Sequence, residues 1–294
     1  MRTLFDPATL REVHLVAETD VFKALYFDRK SLALRPNLIF VDQNGATVFQ
    51  TNEVGLKGSG LDRSRKLAVV WGDSVAFGSG SGWPCLLDEF APTYQFLNGG
   101  LDGDPFINIL RRAITFNQQQ TVSLNLLMLG WHPFIPERVI HRSRPWPLLK
   151  METAPSRLSR AGNENLRGNL MAFLQMLPHT VVLTMPTALN PDVIEDISPY
   201  LSAGDDETGF AFIGQVPYQP DGPRQAFEHI TERNAVTREV CVELGIRLVD
   251  LFTAFKTDGL PDFRTHFYDI LHLRPRSYRI MAQVIYEGIK DLLA

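Results

Sequence analysis

Only two cysteines, Cys85 and Cys241, occur among the 294 residues, and neither has a second cysteine or a histidine at metal-ligand spacing. A disulfide scaffold and a structural zinc module are therefore not expected, and both thiols read as buried or inert. Long apolar runs are missing too: no stretch approaches the roughly 20 residues that a membrane-spanning helix needs. The opening residues Met1-Arg2-Thr3-Leu4-Phe5-Asp6-Pro7 lack the apolar core of a secretory leader, so the cytoplasm is the expected location. Charge of one sign is scarce. Lys and Arg number 29 against 33 Asp and Glu, a net charge of −4 that implies neither a nucleic-acid partner nor an anionic membrane surface. What remains is an ordinary chain, 45% hydrophobic and long enough to bury a substantial core, without internal repeats or low-complexity tracts.

Short apolar runs alternate with longer segments of helical length. Strands are expected at Lys66 to Trp71, Tyr94 to Leu97, Ser123 to Leu129, Thr180 to Met185 and Ile246 to Asp250. Helices are expected at Asp104 to Phe116, Asn163 to Leu177 and Arg224 to Leu244, with Pro105 near the first start and Gly245 just past the last end. This alternation predicts an α/β fold, a three-layer α/β/α sandwich on a five-stranded parallel sheet, carried by residues 65–294. Residues 1–64 read as an N-terminal appendage. They comprise an amphipathic, helix-like stretch from Ala8 to Phe27 and a hairpin of Leu38 to Val41 with Thr47 to Gln50 around Asp42-Gln43-Asn44-Gly45. Residues 133–162 and 186–223, rich in Pro, Arg, Gly and Asp, have the length of lids or binding loops.

Ligand sites in such sheets lie beyond the carboxyl ends of the strands. Three polar turns fall there: Gly72-Asp73-Ser74 after the first strand, Asn98-Gly99-Gly100 after the second and Gly130-Trp131-His132 after the third. Taken alone, Asp73-Ser74 reads as a helix cap. A serine hydroxyl becomes a nucleophile only beside a base, and the base needs an orienting partner. Asp269 and His272, three residues apart, can supply both from one turn. His266-x-x-Asp269-x-x-His272 also has a loose metal-ligand spacing, without a further ligand cluster elsewhere.

With these residues in order, the chain resembles the SGNH hydrolases, the GDSL esterase and lipase superfamily. Gly72-Asp73-Ser74 is similar to the block that carries the nucleophile, Gly100 to the second-block glycine, and Asp269-x-x-His272 to the block that supplies acid and base. Pro36-Asn37 through Thr51-Asn52-Glu53-Val54-Gly55-Leu56-Lys57-Gly58 resembles a segment that precedes the nucleophile strand in many bacterial members.

The resemblance implies a flavodoxin-like sandwich and ester hydrolysis through an acyl-serine on a small acylated substrate, such as an O-acetylated sugar or metabolite. No cofactor or metal is implied. Ser74, Asp269 and His272 become the expected catalytic residues, and the amides of Ser74 and Gly100 the expected oxyanion donors. One departure is plain: where the family has Gly-x-Asn-Asp, this chain has Gly130-Trp131-His132-Pro133, so an imidazole N–H of His132 would stand in for the asparagine amide. Asp73, Trp131 and Arg274 are the candidates for contact with substrate, Asp73 also as the group that holds the turn; Trp83 is a further aromatic near the site. Two other functions fit the same residues: an O-acyltransferase using the same acyl-serine, and a binding protein that retained the fold without catalysis.

Overall fold

The computed structural model describes residues 3–6, 11–15, 27–28, 33–41, 47–78, 82–101, 104, 106–130, 155–190, 222–256, 265–267 and 271–293. Its strands in chain order are β1 (Thr3–Asp6), β2 (Arg11–Leu15), β3 (Phe27–Asp28), β4 (Ala33–Leu34), β5 (Leu38–Val41), β6 (Thr47–Gln50), β7 (Lys66–Gly72), β8 (Tyr94–Gly100), β9 (Leu124–Met128), β10 (Thr180–Leu183) and β11 (Arg247–Val249). The helices are α1 (Ser74–Phe77), α2 (Phe106–Gln119), α3 (Pro155–Met176), α4 (Gly222–Leu244), α5 (Leu251–Ala254) and α6 (Tyr278–Ile289), with 3₁₀ turns at Trp83–Glu89, Pro275–Ser277 and Lys290–Leu292.

β7 to β11 form a five-stranded sheet in the order β8-β7-β9-β10-β11, and all its pairings are parallel. This is the doubly wound, flavodoxin-like order, which reverses direction between β7 and β9. The pleat sorts the side chains of β7 to opposite faces. Ala68 and Val70 join one core with Trp83, Leu87, Phe96, Met281 and Ile285, under the Trp83–Glu89 turn and α6. Val69 and Trp71 join the other with Ile109, Phe116, Leu166, Leu170 and Val240, under α2, α3 and α4. A buried parallel strand carries no polar face, and every described residue of β8 and β9 is buried.

The expected hairpin is present: β5 and β6 pair antiparallel, with a register shift between Phe40 and Val41. Its turn, 42–46, lies outside the described residues. The helix-like reading of Ala8 to Phe27 is corrected in part. Arg11–Leu15 is a strand, antiparallel to β1 and parallel to β5, completing a four-stranded sheet in the order β1-β2-β5-β6. Glu12-Val13-His14-Leu15 alternates polar and apolar residues, and that period of two outweighs the looser helical pattern. Residues 16–26 lie outside the described residues.

Among the boundaries that differ from the expected ones, two have a clear physical reason. α3 begins at Pro155 rather than Asn163, so its first turns occupy residues that read as loop; Pro155 suits a first helical position. β8 runs on through Asn98-Gly99-Gly100, which had read as the turn after it. Close packing demands glycine in that strand end: a Cβ at Gly99 would lie 2.7 Å from the Trp71 ring, and one at Gly100 would lie 2.4 Å from the Phe77 nitrogen.

The segment between β6 and β7 is woven into the sheet edge. Lys57 and Asn98 exchange backbone hydrogen bonds of 2.9 and 3.1 Å, and Asn52 Oδ1 accepts from the Val54 and Leu56 amides. Among the described residues no helix is long and apolar enough to cross a membrane.

Candidate active site

β7 delivers the chain to the carboxyl edge of the sheet at the point where strand order reverses, and α1 begins there. Asp73 is the N-cap of α1, its Oδ1 accepting from Val75 N at 3.0 Å. Gly72 has no room for a side chain, because a Cβ would stand 2.6 Å from that of Ala76. Gly130, at the end of β9 with φ +67°, is equally constrained: a Cβ there would meet Asp73 Oδ2 at 2.5 Å. Asp73 is fully buried and acts as a part of the turn; its place among the substrate-contact candidates is not supported by this position.

Ser74 and His272 meet across 198 residues of chain, with His272 Nε2 2.8 Å from Ser74 Oγ. Both are nearly buried, at 9% and 8% exposure, so their hydrogen bond is shielded from bulk water. A serine hydroxyl held at this distance by an imidazole is the geometry of a base-activated nucleophile. The Ser74 N–H has no acceptor among the described residues, and it lies in the first turn of α1, where amides have no partner within the helix. Asp269, Trp131 and His132 lie outside the described residues.

Gly100 is a correction. Its N–H donates to Asn98 Oδ1 at 2.8 Å, and the next amide, Leu101 N–H, donates to Gly72 O at 3.0 Å. Both donors are occupied, so the glycine serves by letting α1 approach the strand rather than by offering an amide to a ligand. Arg274 is engaged locally, its Nε donating to Phe267 O at 3.0 Å. His266 is a bracing residue as well, with Nδ1 3.1 Å from Ser277 Oγ and its ring edge-on to Phe255. Trp83, fully buried, donates its indole N–H to Val75 O at 2.9 Å and so supports α1 from below.

Buried charge surrounds the turn. The Arg112 guanidinium grips Asp104 Oδ2 through Nη2 at 2.6 Å and Nε at 2.9 Å, and its Nη1 donates to Gly99 O at 2.6 Å. The arginine thereby ties α2 to the end of β8. Burial raises the Asp104 carboxyl above its ordinary value, against the pull of Arg112. Arg233 of α4 is buried near the end of β9; desolvation brings its guanidinium down to about 10, while the charge of Asp73 pulls the other way, so it stays protonated at neutral pH. A small cavity lined by Leu129, Gly130, Met185, Arg233 and Asn234 has room for about one water molecule. Lys57, Arg112 and Arg233 were not among the residues assigned to the site from sequence, while Asn98 reads there only as part of a polar turn and Trp83 only as an aromatic near the site; of the three missed residues only Arg112 carried a readable signal, since it falls on the apolar face of α2 with Ile109 and Phe116.

Strand order, the Gly72-Asp73-Ser74 turn at the reversal point and the helical layers on both faces define a doubly wound α/β/α sandwich. A solved structure that shares this fold, at a TM-score of 0.50, is a lipase/acylhydrolase from Enterococcus faecalis, 16% identical, with the match covering 77% of this chain and 96% of that one. Two others are a member of the lipolytic G-D-S-L family from Veillonella parvula and a catalytic mutant of an acetylxylan esterase from Geobacillus stearothermophilus. They align with TM-scores of 0.47 and 0.46 and identities of 15% and 13%, over 76% and 78% of this chain and 97% and 95% of theirs. No protein-family model and no curated protein sequence matches the chain.

Proposed function

We propose that the protein is a serine ester hydrolase that works through an acyl-serine intermediate on a small acylated substrate. The observation that carries this reading is the 2.8 Å contact between Ser74 Oγ and His272 Nε2 at the carboxyl edge of the sheet. In the first half-reaction Ser74 Oγ attacks the ester carbonyl carbon and its proton passes to His272 Nε2. The bond from carbon to the alcohol oxygen then breaks, and the Nε2 proton leaves with the alcohol. In the second half a water gives its proton to Nε2 and attacks the acyl-serine; the proton returns to Oγ as the carboxylic acid departs.

Asp269 is assigned to His272 Nδ1, where it would hold the tautomer and stabilise the imidazolium. The Ser74 N–H and an imidazole N–H of His132 are assigned to the oxyanion, each such donor supplying about 2.7–4 kcal/mol. Gly100 is left out of that set, since its amide is already bonded to Asn98. An O-acetylated sugar or metabolite is the substrate class that the reading favours. Metal and cofactor have no assigned part in it.

Hydrolysis of p-nitrophenyl acetate by the wild type, Ser74→Ala, His272→Ala and the double variant tests the reading. A base and nucleophile that act as a unit lose activity non-additively, so the double variant is expected to be no slower than either single one. Wild-type release of p-nitrophenol that persists in Ser74→Ala would sink the proposal.

A further inference from the structure

Three side chains around α1 aim their donors at its carbonyls and at the carbonyl that follows it. Trp83 Nε1 holds Val75 O at 2.9 Å, Asn98 Nδ2 holds Phe77 O at 3.0 Å, and Lys57 Nζ donates to both Phe77 O and Gly78 O, the latter at 3.1 Å. Lys57 is the exceptional member. It has no exposed surface, although lysine is almost never fully buried without a partner. The ammonium lies 3.4 Å from the centre of the Phe77 ring and 5.1 Å from that of Phe49, each face offering it negative potential. Its backbone is fastened at the same place, through the paired hydrogen bonds with Asn98. Desolvating an ammonium is costly, so this placement has to be matched by contacts made only when α1 is in position.

We infer that Lys57 is a positioning residue for Ser74. α1 is a single turn, with the nucleophile as its first residue and Phe77 as its last. A cation at the carboxyl end of a helix meets the unsatisfied carbonyls and the negative end of the dipole. The ammonium therefore draws Phe77 O and Gly78 O inward, and the rigid turn transmits that constraint to Ser74 Oγ, 2.8 Å from His272. Tyr278 packs closely against the same end: a Cβ at Gly78 would lie 2.9 Å from its hydroxyl. With the ammonium removed, Phe77 O and Gly78 O lose this donor and the end of the turn is less firmly held. The serine then leaves the line of the imidazole.

The inference rests on Ser74 being the nucleophile as proposed above, and the experiment separates the two. Wild type, Lys57→Met and Lys57→Arg are compared for p-nitrophenyl acetate turnover and for labelling by a fluorophosphonate, after circular dichroism and thermal melts establish which proteins are folded. Misplacement of a reacting group by about 1 Å costs on the order of 100-fold in rate. Folded Lys57→Met is expected to lose about 10- to 100-fold in kcat, with KM within about twofold and the pH of half-maximal rate unchanged, while Lys57→Arg recovers most of the loss.

If Lys57→Met does not fold, Lys57→Gln, which keeps one donor, takes its place with the same expected sign. A folded variant with wild-type kcat, or one whose loss appears only in KM, overturns the inference while leaving the serine reading intact. A shift of the pH profile would make Lys57 a titrating group and would overturn it as well. Wild type that neither turns over nor labels overturns the serine reading first.

Discussion

Replacing Gly100 with alanine adds one methyl group at a crowded point behind the Gly72-Asp73-Ser74 turn. The new Cβ would stand 2.4 Å from Phe77 N, 2.7 Å from the Ala76 carbonyl carbon and 2.8 Å from Phe77 Cα. All three are backbone atoms of α1, so no flexible side chain can swing aside. Restoring an ordinary contact of about 3.5 Å requires α1 and β8 to part by about 1 Å. Gly100 does not occupy the left-handed region, so alanine brings no backbone strain and the effect is steric alone. Overpacking of this kind costs about 1–3 kcal/mol of stability. The catalytic cost is larger in proportion, because a shift of that size stretches the 2.8 Å link between Ser74 and His272 beyond hydrogen-bond range, and about 100-fold in kcat is expected to go with it. Urea unfolding reads the first quantity and p-nitrophenyl acetate turnover the second. Since alanine keeps its N–H, a folded Gly100→Ala protein with full activity and unchanged stability would refute the packing argument.

Three other expectations rest on buried or paired groups elsewhere in the fold. Burial pushes the thiols of Cys85 and Cys241 up to about 12, so neither should react with a disulfide reagent at pH 8 in the native protein, and both should react in denaturant; stoichiometric native labelling would contradict this. Removing the Arg112 guanidinium as Arg112→Ala leaves Asp104 buried without its cation and should lower stability by about 3–5 kcal/mol in urea, with a loss below 1 kcal/mol counting against the buried pair. Asp250 caps α5 and bonds Thr184 and Arg238; burial raises its carboxyl, but the hydrogen bonds from Arg238, Thr184 and Thr253 together outweigh that and hold it below 3.8. Its depressed value makes the stabilisation complete above the unfolded value and lost as pH falls through the folded one, so Asp250→Asn should cost about 1 kcal/mol at pH 7 and converge with wild type in acid. A difference that persists at pH 2 would contradict the assignment.

Much of the sandwich was legible because its elements announce themselves locally. Leu67 to Trp71 is apolar, of strand length and followed by Gly72-Asp73-Ser74, and the strand, the reversal point and the turn lie where that pattern puts them. Glycine misled at Gly99-Gly100, where the residue type that ends strands was instead demanded inside one by Trp71 and α1. Arg11–Leu15 misled through length: a five-residue alternation was absorbed into a longer window of helical appearance.

The pairing of Ser74 with His272 could be argued from a serine placed just after a buried strand, the spacing of Asp269 and His272 and the resemblance to the SGNH pattern. The support beneath them was not legible. In the sequence Lys57 reads only as part of the segment that resembles one preceding the nucleophile strand, Asn98 only as part of a polar turn and Trp83 only as an aromatic near the site. Their roles arise from contacts 8 to 21 positions apart that converge on one helical turn, and nothing local to each residue encodes that convergence.

The central claim is that Ser74 is a nucleophile activated by His272. Incubation with a fluorophosphonate probe, followed by peptide mass mapping, tests it most directly. The account predicts one probe adduct per chain, on the peptide that carries Ser74, absent in Ser74→Ala and slowed about 100-fold or more in His272→Ala. No adduct on the folded wild-type protein, or an adduct that survives Ser74→Ala, would contradict it.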